Sequence, residues 1–263
     1  MQQYKDKTLY VNVSDNKQNY SQRNNLYKHS NAVLGVEDVN AGTMCNGTSL
    51  CQTGDYNGII FPDGKFDQPE DNFLDFVMTD PRVDAYYAKA MPVLYKDYKT
   101  NKSHINANGK IVLDYYTPNE VHPVLAYAFN LWVGFEADKF VENAKIFDIV
   151  NELLEGRSCV ISGVFNGLNH IVSLVGCEWT FKEDQTGKQV YSLIKQITDN
   201  KILPTKFIID DPYGKWNAPN GYKSGQSGND AELTLSEFIK MIKPTGNANI
   251  KYCHFVRSGA AVV

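Results

Sequence analysis

Ser158 to Gly176 reads SCVISGVFNGLNHIVSLVG. Two β-branched runs, Ser158 to Val164 and His170 to Val175, flank the turn-forming tetrad NGLN at Asn166 to Asn169, the pattern of a β-hairpin. Downstream, Lys206 to Asp210 is a short apolar strand running into Asp211-Pro-Tyr-Gly214, and Ile250 to Val256 is a final strand. Upstream, the apolar periodicity is helical. The order predicts an α+β fold, a helical N-terminal half packed on an antiparallel sheet in the C-terminal half.

Working back from the hairpin, Lys139 to Leu154 places Phe140, Ala144, Phe147, Val150 and Leu154 at spacings of three and four, which predicts an amphipathic helix with Gly156 as its C-cap. Pro123 to Val133 reads as a buried helix. Asp71 to Ala90 is a helical stripe that Pro81 divides in two. Asn101 to Gly109 reads as a polar loop. A short helix follows Cys45, ending before Gly54 or Gly58. Residues 1 to 44 are rich in Asn, Gln, Ser and Tyr, and only Thr8 to Val13 alternates like a strand. Beyond the hairpin, Val190 to Ile197 fits helix or strand, Lys215 to Asp230 is a Gly/Asn/Ser-rich loop, and Thr234-Leu-Ser-Glu237 is a capping box with Leu233 and Phe238 as its hydrophobic staple. Together these predict a single domain over 1–263: an irregular arm (1–44), a mainly helical part (45–155) and a mainly β part (156–263).

A net charge of −4 argues against a nucleic-acid surface, which needs clustered Lys and Arg, and leaves peptide and glycan substrates open. No apolar run approaches membrane-spanning length, and the start MQQYKDKTLYVNV lacks the apolar core of a signal peptide. The expectation is a cytoplasmic or virion-associated protein. Five cysteines at scattered spacings fit a reducing compartment better than a disulfide scaffold. Neither zinc-ligand spacing nor an EF-hand loop is present, so no metal and no cofactor is expected.

Cys45 follows an irregular loop (Asn40-Ala-Gly-Thr-Met44) and precedes a helix, whose unpaired N–H groups and dipole favour thiolate, the nucleophilic form. A free cysteine in that position is also a common small core residue. His170, after two turn-forming residues at a sheet rim, is placed to serve as a base, although an isolated histidine is more often a satisfied structural one. Asp210 and Asp211 end a strand. Alternation sends them to opposite faces, so one of them can orient the imidazole; Asp211 is preferred, with Asp210 the alternative. Acyl transfer also needs an oxyanion donor, and Gln22 and Asn40 are the upstream amides.

The order Cys, then His at the head of a hairpin, then Asp at a later strand end resembles the papain-like cysteine peptidases. The segments YSQRNN (Tyr20 to Asn25), CNGTSL (Cys45 to Leu50), GLNHIVSLVG (Gly167 to Gly176) and DDPYG (Asp210 to Gly214) are similar to the family thirty-nine-like branch, which includes the bacteriocin leader-processing peptidases of bacteria and phages. The resemblance implies Cys45 as nucleophile, His170 as base, Asp211 as orienter and Gln22 as oxyanion donor. It implies hydrolysis of a peptide or amide bond, in a peptidoglycan stem or a Gly-rich protein site, or transfer of the acyl group to an amine. The alternative is a catalytically silent fold serving as a structural or binding component, for example of a phage particle, with assembly partners in place of a substrate.

Overall fold

The computed structural model describes residues 5–15, 17–31, 36–100, 103–105, 107–109, 111–113, 115–165, 167–183, 195–197, 199, 202–215, 227–242 and 249–259. The chain divides into two compact units: Met1–Asn19 with Val141–Val256, and Tyr20–Phe140 with Arg257–Val263. The fold is α+β, helices and an antiparallel sheet, as the sequence predicts.

The second unit is helical. Its helices are α1 (Cys45–Tyr56), α2 (Pro69–Thr79), α3 (Pro81–Ala90), α4 (Pro92–Thr100) and α5 (His122–Val133). Three of them open on proline, whose missing N–H costs nothing in a first turn. Pro81 divides the 71–90 stripe as expected, and Asp80 caps the second piece by accepting from the Arg82 N–H at 2.8 Å. The helix after Cys45 passes straight through Gly54 and ends at Tyr56, before Gly58, the later of its two expected stops. Its glycines are there for close approach: a Cβ on Gly47 would stand 2.8 Å from Leu74, and one on Gly54 3.0 Å from Phe61. Rings fill the space alongside, with Phe73 edge-on to Phe129 and Phe61 stacked on Trp132.

Two small hairpins complete this unit, β2 (His29–Asn31) with β3 (Val36–Val39), and β4 (Ser103–Ile105) with β5 (Ile111–Leu113). The second corrects the loop expected over 101–109. Three-residue strands are too short for their alternation to register in a sequence.

The first unit holds, among the described residues, a seven-stranded sheet built from β1 (Lys5–Asn12), β6 (Asp138–Lys145, which belongs to this unit from Val141 on), β7 (Cys159–Phe165), β8 (Leu168–Glu183), β9 (Lys206–Asp210), β10 (Ala231–Thr234) and β11 (Asn249–Val256). The order is β10-β9-β8-β7-β11-β6, with β1 also pairing β8. The hairpin that decides the fold is present, with His170 opposite Gly163 and Gly167 turning at φ 79°. β8 is long enough to pair β7 with its first half and β1 with its second. The strand expected in the N-terminal arm over Thr8 to Val13 is present as Lys5–Asn12, three residues earlier at its start.

Helices α6 (Ile146–Leu154) and α7 (Leu235–Ile242) pack Ile149, Val150, Leu153, Phe238 and Ile242 against Val172, Leu174, Phe207 and Ile209. Phe207 and Phe238 stack at 3.9 Å. Each side chain of this size contributes about 1.5–3 kcal/mol when fully buried. The Thr234–Glu237 capping box forms, and hydrogen bonds from Thr234 hold the Glu237 carboxyl below its usual range.

The helix expected from Lys139 is a correction: residues 138–145 are strand, and the helix begins only at Ile146. Asn143 takes a left-handed φ of 58° within the strand, which no helix from Lys139 could contain, and Asp148 accepts the Lys145 N–H at 2.9 Å, capping the helix at Ile146. Gly156 ends that helix as predicted, at φ 76°. Residues 190–194 and 216–226, which carry much of the undecided segment and of the Gly/Asn/Ser-rich loop, lie outside the described residues.

Candidate active site

Cys45 is the first residue of α1, so its sulfur sits beside N–H groups that no helical carbonyl can reach. It is half-buried, whereas Cys51, Cys159, Cys177 and Cys253 are buried, and none of the five is joined in a disulfide. Burial, reinforced by the carboxylates of Glu70, Asp71 and Asp55, pushes the Cys51 thiol well up, and burial raises Cys177 to about 12. The cysteine selected by its place before a helix is thus also the most accessible.

The loop before Cys45 is braced. Residues 41–43 form a 3-10 turn whose N-cap is Asn40, with Asn40 Oδ1 accepting from the Gly42 N–H at 2.9 Å. Gln22, 1% exposed, donates from Nε2 to the Ala41 carbonyl at 2.9 Å, while its Oε1 is buried with no hydrogen-bond partner. The long stretch between Gln22 and Cys45 is taken up by the β2–β3 hairpin, which returns the chain to the same place. Of the two oxyanion candidates, then, Asn40 spends its amide oxygen on capping, and Gln22 is fixed to the turn that leads into Cys45.

Three residues the sequence did not single out hold this arrangement. Asp71, fully buried, accepts from the Leu26 N–H at 3.0 and 3.1 Å and the Tyr27 N–H at 3.0 Å, pinning the end of the YSQRNN segment. Asn46 lies between the Cys45 sulfur, 3.3 Å from its Oδ1, and the Asn119 carbonyl, which accepts from its Nδ2 at 2.8 Å. Asn119 in turn donates to the Thr43 carbonyl at 3.4 Å. An Asn directly after a candidate nucleophile was the one available signal. Asp71 and Asn119 are defined only by where the chain folds back.

In the sheet unit, His170 Nε2 lies 2.7 Å from Asp211 Oδ1, both side chains buried. The same oxygen accepts from the Tyr213 N–H at 2.8 Å, so it is an acceptor, and the imidazole carries its proton on Nε2. The rings of Phe165 and Tyr213 stand steeply inclined to the imidazole, with centroids 6.0 and 6.1 Å away. Asp210, also buried, turns the other way and accepts from the Asp230 N–H at 2.7 Å. The strand-end ambiguity resolves toward Asp211 as the carboxylate on His170, for the reason alternation gives. Among the described residues no group of three or more His, Cys, Asp or Glu side chains is placed to hold a metal ion, and no helix is long and apolar enough to cross a membrane.

No protein-family model and no curated protein matches the chain. Among solved structures it is similar to a Bacillus anthracis protein described as a provisionally assigned C39-like peptidase, at 13% identity, covering 95% of this chain and 99% of that one, with a TM-score of 0.46. A likeness of that degree assigns no residue a role.

Proposed function

We propose that the chain is a papain-like cysteine hydrolase that cleaves a peptide or amide bond. The observation that carries this reading is the buried His170–Asp211 pair at 2.7 Å, on the hairpin and strand end where the sequence locates a base and its orienter, in a chain whose accessible cysteine begins a helix.

The chemistry follows from those groups. With Nε2–H held by Asp211, the ring nitrogen left to act as base is Nδ1. It takes the proton from Cys45 as Sγ attacks the carbonyl carbon and the carbonyl π electrons move to oxygen. The Cys45 backbone N–H and the second amide hydrogen of Gln22 serve as oxyanion donors, the first hydrogen being committed to Ala41. Collapse of the intermediate breaks the C–N bond, and Nδ1 returns its proton to the leaving amine. Water then attacks the thioester by the reverse proton route and frees the acid. A peptidoglycan stem peptide or a Gly-rich protein site is the substrate class this reading favours.

Iodoacetamide labelling at neutral pH, mapped by peptide mass spectrometry, tests it. Cys45 should label first, and Cys45→Ala should abolish both the fast phase and hydrolysis of a quenched-fluorescent peptide pool containing stem-peptide and oligoglycine sequences. Labelling of Cys51 or Cys159 as fast as Cys45 removes the nucleophile assignment.

A further inference from the structure

Asn46 sits at the second position of α1, 8% exposed, and its two amide atoms face different partners. Nδ2 is 2.8 Å from the Asn119 carbonyl oxygen. A carbonyl oxygen only accepts, so the NH2 group must face it, and the amide cannot be turned over without setting two oxygens against each other. Asn119 is itself immobilised: it is fully buried, its Nδ2 donates to the Thr43 carbonyl, its Oδ1 accepts from Thr117 Oγ1, and Thr117 closes a capping box with Glu120, whose Oε2 accepts from the Thr117 N–H at 3.0 Å. Asn46 Oδ1 is therefore forced toward Cys45 Sγ, 3.3 Å away. An amide oxygen there welcomes S–H and opposes S⁻, against the pull of the helix N-terminus on the same sulfur.

We propose that Asn46, oriented by the Asn119 carbonyl, is a positioning residue that holds the Cys45 thiol as S–H until a base removes the proton. It rests on Cys45 being the nucleophile, as proposed above. In the resting protein the S–H···Oδ1 bond fixes the sulfur's rotamer and withholds the anionic form, which is the form that oxidises as well as the one that attacks. Proton transfer to the base breaks that bond, so the thiolate appears when the base is in place and not before.

Two substitutions with opposite expected signs separate this from mere structural support. Asn46→Ala removes the acceptor and should raise the Cys45 alkylation rate at neutral pH by about threefold to tenfold, the worth of one hydrogen bond. Asn46→Asp puts a negative charge beside the sulfur and should lower the rate at least as much. Simple loosening would speed both, so rates that move in the same direction, or not at all, overturn the proposal. A measurement on the unaltered Asn46 guards against variants that fail to fold. The Raman difference between wild type and Cys45→Ala in the S–H stretching region should show a band displaced to the low-frequency, hydrogen-bonded side. An undisplaced band, or none, also overturns it. Hydrolysis that survives Cys45→Ala sinks the proposed function and this inference with it, whereas hydrolysis lost in Cys45→Ala with either readout failing sinks this inference alone.

Discussion

Replacing Asp211 in two ways measures what the carboxylate does for His170. Asp211→Ala deletes an acceptor 2.7 Å from a buried imidazole, a charge-assisted bond worth about 1.5–3 kcal/mol, or roughly tenfold to 150-fold in kcat/KM. Asp211→Asn is a different perturbation. The Tyr213 N–H, 2.8 Å from Oδ1, requires an oxygen there, so the asparagine carbonyl takes that place and still accepts the Nε2 proton. The tautomer survives and only the charge is lost, about 1 kcal/mol or less than tenfold. The assay is the initial rate of hydrolysis of the quenched-fluorescent peptide pool, with iodoacetamide labelling of Cys45 alongside. An Asn variant as impaired as the Ala variant refutes the argument that Tyr213 fixes the acceptor. An Ala variant with wild-type rates removes His170–Asp211 from the chemistry altogether.

Glu70 is 2% exposed, and burial, with Asp71 adding to it, raises its carboxyl from 4.5 to about 7. The folded chain holds a proton that the unfolded chain has already released, so stability present below about pH 4.5 is lost as pH rises to about 7, in all about 3 kcal/mol. Urea unfolding should therefore show Glu70→Gln gaining on wild type by that amount between pH 4 and 8 on the order set by the shift, and a pH-independent difference contradicts it. Gly228→Ala should disturb the Asp211 turn, since its Cβ would stand 2.1 Å from the Asp211 carbonyl oxygen. A loss of about 1–3 kcal/mol in urea unfolding, with slower turnover, is expected; unchanged stability means the turn relaxes freely.

The hairpin was legible because β-branched runs on either side of NGLN leave a chain few other choices, and His170 came with it. The Asp210–Asp211 choice was legible only halfway: alternation says the two face oppositely, and it takes the Asp230 N–H to say which faces where. The 138–145 strand was misread because Phe140, Ala144 and Phe147 keep helical spacing across a boundary set by the Lys145 N–H and Asp148, a cap whose first residue is not a usual capping type. The nearness of Gln22 to Ala41 had no local signal, being made by a hairpin between them and by Asp71 from a later helix. Cys45 was legible from its place before a helix, but what grips its sulfur, Asn46 turned by Asn119, depends on a residue from a distant turn.

Asp71 and Asp211 do comparable work in different units. One pins the segment that follows Gln22 through the Leu26 and Tyr27 N–H groups, and the other orients His170. None of the hydrogen-bond partners named for one is a partner of the other. For stability, Asp71→Ala and Asp211→Ala should then add, each leaving backbone or ring N–H groups without an acceptor at about 1–3 kcal/mol. For turnover they should not. In the mechanism proposed above, an oxyanion donor out of place and a base out of place would impair one transition state, and groups that act as a unit fail together once the first is lost. The double variant should retain more activity than the product of the single losses predicts, while its urea midpoint falls by their sum. Fully multiplicative losses in kcat/KM would mean that the Gln22 segment and the imidazole serve separate steps, and the Gln22 oxyanion assignment would then have to be abandoned.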